Sequence, residues 1–136
     1  MKQPLDASSD TFAKSMKGKT GFGRIKKAFG YSCDGFLAAY RSEAAFRQVV
    51  WLNAVLCLLL CFLPFALTVK MLLIIISAIS VIVELFNTGL EAVVDRISDE
   101  YHPLSKVAKD VGSAAQFLTL CVQCLLWALA IFSLFW

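Results

Sequence analysis

The sequence predicts an all-α membrane protein with three transmembrane helices and, ahead of them, an amphipathic helix lying in the membrane interface. Three observations carry this expectation. Of the 136 residues, 59% are hydrophobic, and the mean hydropathy is +0.71. A soluble domain runs at about 45–50% apolar, and here the excess is gathered into long runs rather than spread through a core. Each run reaches the roughly 20 residues that a membrane-crossing helix needs. Finally, the charge is uneven: residues 1–48 hold nine Lys/Arg against four Asp/Glu, whereas residues 111–136 hold none.

Residues 1–20 are polar and rich in Ser and Lys. They lack the apolar core of a signal peptide, and we expect a disordered tail. Within them, Ala13-Lys14-Ser15-Met16-Lys17-Gly18-Lys19-Thr20 fits a relaxed P-loop pattern. A working P-loop joins a buried strand to a helix, and residues 3–12 offer no strand, so we reject that reading. The interfacial helix is expected over residues 21–47. Phe22, Ile25, Phe29, Cys33, Phe36 and Tyr40 recur every three or four residues and form one apolar stripe, with Arg24, Lys27 and Asp34 off it. Gly30 and Gly35 are candidate breaks.

The first run, residues 49–69, has no charge. Pro64 should end or kink its helix. The second, residues 71–94, is interrupted only by Glu84 and Glu91, and the third covers residues 111–136. The basic N-terminal segment should stay in the cytoplasm by the positive-inside rule. That places the connection around Pro64–Lys70 outside, residues 95–109 inside, and the carboxyl terminus outside. Four of the five cysteines (Cys33, Cys57, Cys61, Cys121 and Cys124) lie in apolar runs and read as small hydrophobes.

The second run carries the chemistry. Glu84, Asn87, Glu91 and Asp95 follow one another at spacings of three, four and four, which on a helix confines them to about 80° of arc. Ser77 and Ser80 extend the same face. A charge near the bilayer centre costs about 2.5–3.5 kcal/mol even on lenient scales, so solubility does not explain this stripe. Structural hydrogen bonding between helices would explain Asn87, but not three acids on one face. A bound cation or a protonated member would relieve their repulsion. Around the stripe lie Glu43, Asp95-Arg96, Glu100-Tyr101-His102 and Lys109-Asp110. Acids for a divalent cation, bases for phosphate and an aromatic for a nucleotide thus converge near one interface. That inventory suits phosphoryl transfer, where positioning and charge neutralisation do most of the catalysis. No nucleic-acid partner is expected.

Glu84-x-x-Asn87-Thr88-x-Leu90-Glu91-x-x-Val94-Asp95 resembles the signature of the prokaryotic diacylglycerol kinases of Gram-negative type. The flanks Gly21-Phe22, Glu43-Ala44-Ala45-Phe46-Arg47, Asp95-Arg96-Ile97, Glu100-Tyr101-His102 and Lys109-Asp110-x-Gly112-Ser113-Ala114 are similar as well. The resemblance implies a homotrimer in the cell inner membrane that transfers the γ-phosphoryl group of ATP, with Mg²⁺, to diacylglycerol, giving phosphatidic acid. It implies Glu84 as the catalytic carboxylate and Glu43 and Glu91 as metal ligands. Arg24, Tyr31, Glu43, Glu91, Glu100, Tyr101, His102, Lys109 and Asp110 are implied as ATP contacts. Arg24, Glu84 and Ser113 are implied at the lipid substrate, with Asn87 and Asp95 as active-site support. Gly89, Pro103 and Val49 depart from the pattern; at Gly89 looser helix packing is expected. Two rivals stand beside this reading: a kinase for undecaprenol, and a non-enzymatic proton or cation conduit lined by Glu84, Asn87 and Glu91. A conduit requires polar residues across the whole bilayer.

Overall fold

A computed structural model describes residues 22–98 and 100–135, all in helices and short connections. The expected tail, the P-loop look-alike and Asp99 lie outside the described residues. Four helices follow in order: α1 (Phe22–Ser42), α2 (Ala44–Phe62), α3 (Leu67–Ile97) and α4 (Pro103–Phe132). The last three are long and apolar enough to cross a membrane, so the protein is a multi-pass membrane protein.

The chain divides into two compact units, parting between Leu37 and Ala38. In the first, α1 keeps Ile25, Phe29 and Phe36 exposed along its apolar stripe. The helix runs unbroken through Gly30 and Gly35, so the expected breaks do not occur. Nothing forbids glycine inside a helix; it costs about 1 kcal/mol relative to alanine.

The second unit contains the three spanning helices. The expected single element over residues 21–47 is in fact two, because Glu43 adopts an extended backbone (φ −108°, ψ 123°) between α1 and α2. The last carbonyls of α1 lack helical partners at such a break. Arg47 supplies them: its Nη1 donates to the carbonyls of Tyr40 at 3.1 Å and Arg41 at 3.2 Å. Trp51 Nε1 donates to the Tyr40 hydroxyl at 3.0 Å. α2 ends at Phe62, just before Pro64, which cannot continue a helix.

α3 packs against both α2 and α4. Its 31 residues and the 30 of α4 make rods of about 45 Å at 1.5 Å per residue, against a hydrocarbon core of about 30 Å. The surplus lies at the α3–α4 connection, where the charged residues are found. At the opposite end Leu60, Phe65, Leu73 and Ala130 form an apolar cluster, joined by Leu63, Val69, Leu126 and Trp127. Gly112 lets α4 approach α3: a side chain at this position would overlap the Asn87 carboxamide. At Gly89 an added Cβ would meet nothing within 4 Å in this chain, so no packing within one copy turns on the glycine there. All five cysteine thiols are free. Cys121 and Cys124 have CxxC spacing but sit one turn apart on α4.

Candidate active site

α3 delivers the stripe as its spacing requires, graded by depth. Ser77, Ser80, Glu84 and Thr88 are buried, Asn87 and Glu91 are half-buried, and Asp95 is exposed. Asn87 Nδ2 donates to Glu91 Oε1 at 3.1 Å, which orients that carboxylate. The Asn87 Oδ1 is buried without a partner among the described residues. Glu43 and Glu91 both lie within electrostatic reach of Glu84. Glu43 stands at the N-cap of α2 but makes no side-chain cap hydrogen bond, so its carboxylate is free for another role.

Past Asp95 the chain leaves α3, and the connection closes a cleft of about 420 Å³ lined by Asp95, Glu100, Tyr101, His102, Lys106 and Lys109, among others. His102 forms one wall because it caps α4: its Nδ1 accepts from the Leu104 amide at 3.2 Å, with Pro103 as the first helical residue. Proline's fixed φ and missing N–H suit that position. Lys109 pairs with Asp95 across α3 and α4 and also feels the charges of Glu91 and Glu43. Lys109 therefore joins the cleft to the acidic stripe. Asp110 pairs with Lys106, one of the residues that line the cleft. Ser113, one turn beyond Lys109, is exposed. Arg24 and Tyr31 belong to the other compact unit.

Among the described residues no three His, Cys, Asp or Glu side chains gather closely enough to hold a metal unaided. The donors at Glu43 and Glu91 are carboxylate oxygens only. That set fits a hard cation such as Mg²⁺, which binds one or two carboxylates and takes its remaining ligands from water and phosphate.

The sequence profile of prokaryotic diacylglycerol kinase matches residues 30–131. The diacylglycerol kinase of Pseudomonas aeruginosa is 54% identical over 112 residues, covering 82% of this chain and 91% of the relative. That of Escherichia coli K12 is 47% identical over 118 residues, covering 85% and 95%. A third, from Helicobacter pylori, is 42% identical over 115 residues, covering 85% and 90%. The chain belongs to the prokaryotic diacylglycerol kinase family.

In this member of the family the structure adds polar residues that the sequence reading passed over. Gln116 Nε2 on α4 donates to Ser80 Oγ at 3.3 Å, one turn from Glu84. Gln123 Nε2 donates to Asn53 Oδ1 on α2 at 2.8 Å, and Asn53 Nδ2 donates to the Val49 carbonyl at 2.9 Å. All four side chains are buried. The signal was available: Asn53 is the lone amide side chain of the first apolar run, and Gln116 and Gln123 recur seven apart, on one face of the third.

Proposed function

We propose that this chain phosphorylates diacylglycerol with ATP, yielding phosphatidic acid, as a homotrimer of the cell inner membrane with its N-terminus in the cytoplasm. The observation that carries the reading is the continuity of charge from cleft to membrane. Lys109 feels Asp95, Glu91 and Glu43, and the last two act in turn on the buried Glu84. A water-soluble phosphoryl donor and a lipid acceptor need such a connection between an open cleft and the membrane interior.

In this reading ATP lies in the cleft with its adenosine end toward Glu100, Tyr101 and His102. The N-terminus of α4 and Lys109 offer positive charge to its phosphates, with Asp110 beside them; Arg24 and Tyr31 are proposed as ATP contacts from the family resemblance alone. Glu43 and Glu91 hold Mg²⁺, which when bound neutralises phosphate charge. Glu84 accepts the proton of the lipid hydroxyl. That oxygen forms its bond to the γ-phosphorus as the bond to the departing ADP oxygen breaks. Asn87 holds Glu91 in orientation, Asp95 holds Lys109, and Ser113 and Arg24 meet the lipid headgroup region.

The conduit reading is less well supported: the α3 stripe ends at Ser77 and the far end of the bundle is the apolar cluster of Leu60, Phe65, Leu73 and Ala130, although the Asn53–Gln123 pair carries polar groups part of the way. Undecaprenol remains the rival acceptor. The test is transfer of radiolabel from ATP to diacylglycerol and to undecaprenol by purified protein in mixed micelles. We expect label in phosphatidic acid; preferential labelling of undecaprenol would reassign the substrate.

A further inference from the structure

Lys109 meets Asp95, Gly112 meets Asn87, and Gln116 meets Ser80, so α4 touches α3 at three successive levels going into the membrane. The outermost is an ion pair at the cleft. The deepest is the hydrogen bond from Gln116 Nε2 to Ser80 Oγ at 3.3 Å, and it is enclosed: Gln116 is 6% exposed and Ser80 0%. Glu84 stands between the two deeper levels. It follows Ser80 by four residues and precedes Asn87 by three, spacings that make them neighbours on the helix surface, with Cβ atoms about 5–6 Å apart.

Stability does not account for Gln116. Its Oε1 is buried with no partner among the described residues. An unmet buried acceptor costs more than one hydrogen bond between helices contributes in a bilayer. An apolar side chain of similar volume would therefore hold α3 to α4 at least as well. What the amide adds is direction. Apolar packing tolerates a small rotation of one helix against another, whereas a hydrogen bond weakens steeply with angle. A lone polar residue in a helix seam sets register at a cost in stability. Gln123 offers a matched comparison. It lies seven residues further along α4, is equally buried, donates through Nε2 to Asn53 Oδ1 at 2.8 Å, and also has an unpartnered Oε1 among the described residues. Its bond leads to α2 rather than α3, and it lies roughly 10 Å beyond Gln116 at 1.5 Å per residue.

We propose that Gln116 is a positioning residue for phosphoryl transfer: through Ser80 it fixes the rotation of α3 at the turn that carries Glu84, and so aims that carboxylate at the acceptor hydroxyl. This assignment rests on Glu84 being the group that accepts the hydroxyl's proton. The full-length protein is assayed in mixed micelles as wild type, Gln116→Leu, Ser80→Ala, the double variant of these two, and Gln123→Leu. Gln116→Leu should lower kcat by roughly tenfold or more, as a small misplacement of a reacting group does, with the KM values for ATP and diacylglycerol within about twofold. Ser80→Ala should give the same loss, and the double variant no more than either alone. Gln123→Leu removes an equal bond away from Glu84 and should keep kcat within about twofold. Equal losses in Gln116→Leu and Gln123→Leu would mean general loosening of the bundle and would overturn the proposal. So would wild-type kcat in Gln116→Leu, or a change confined to either KM. Should Gln116→Leu fail to fold, Ser80→Ala decides in its place by the same outcomes. Glu84→Gln, assayed alongside, separates the two readings. If it keeps wild-type kcat, the base lies elsewhere and the assignment of Gln116 falls with it; if it loses activity while Gln116→Leu does not, only Gln116 is removed.

Discussion

Glu84 is the one charged side chain that is buried among the described residues. Holding a carboxylate there costs several times thermal energy, and a family that catalyses phosphoryl transfer to a lipid hydroxyl gives that cost a purpose. Glu84→Gln keeps the shape and removes the proposed base. It should lower kcat by roughly 10²–10⁴ with little change in the ATP KM, the range typical of a general base. Steady-state kinetics in mixed micelles check this; retention of wild-type kcat would remove Glu84 from the chemistry, and a rise confined to the lipid KM would make it a positioning residue. Glu91 is different. It is half-buried, accepts from Asn87 and shares its surroundings with Glu43. Glu91→Gln should leave the fold intact and shift the Mg²⁺ titration to markedly higher concentration. An unchanged titration would take Glu91 out of the metal's ligand set.

At the scale of the element, the helices are held as much by polar contacts as by apolar ones. Lipid tails are as apolar as leucine, so helices in a bilayer associate through close packing and hydrogen bonds. Gly112 and the Asn87 carboxamide mark one such close approach. Gly112→Val forces Asn87 aside and with it the hydrogen bond to Glu91. We expect kcat to fall by about tenfold or more while the protein still inserts as three spans, checked by activity beside circular dichroism; full activity would mean that Asn87 is not needed where it sits. The pair Asn53–Gln123 ties α2 to α4. In a double-mutant cycle of Asn53→Leu and Gln123→Leu, a coupling of about 0.6 kcal/mol, and at most near 1.7, is expected from such bonds in other membrane proteins. Thermal unfolding in detergent measures it, and additivity would show that the bond contributes nothing.

For the whole molecule the question is assembly. A chain of three spans offers few partners to a stripe bearing Glu84, Asn87 and Glu91, and Asn87 Oδ1, Gln116 Oε1 and Ser77 Oγ are buried without partners among the described residues. Those atoms are already enclosed within one copy, whereas Glu91 is half-buried and Asp95 exposed, and the homotrimer of our proposal covers these acids if sites are completed between subunits. Inactive Glu84→Gln protein mixed with inactive Lys109→Met protein should then recover part of the activity, since some mixed sites carry both native residues. If labelled subunits are shown to exchange and no activity returns, each copy carries its own complete site.

The sequence by itself determined the three spans, the apolar stripe of α1 and the acidic face of α3. These follow from run length and periodicity, which are local properties of a chain in lipid. It also determined the family, because Glu84, Asn87, Thr88, Glu91 and Asp95 form one contiguous signature. The tertiary structure alone decided what meets across helices. The break at Glu43 depends on Arg47 reaching back to the carbonyls of α1. The cap at His102 could be read only once α4 was known to begin at Pro103. The pairing of Lys109 with Asp95, of Gln116 with Ser80 and of Gln123 with Asn53 joins residues that are 14, 36 and 70 apart in the chain. Periodicity states which face of a helix is polar, but not which residue of another helix it meets, because that depends on the rotation and register at which the helices pack.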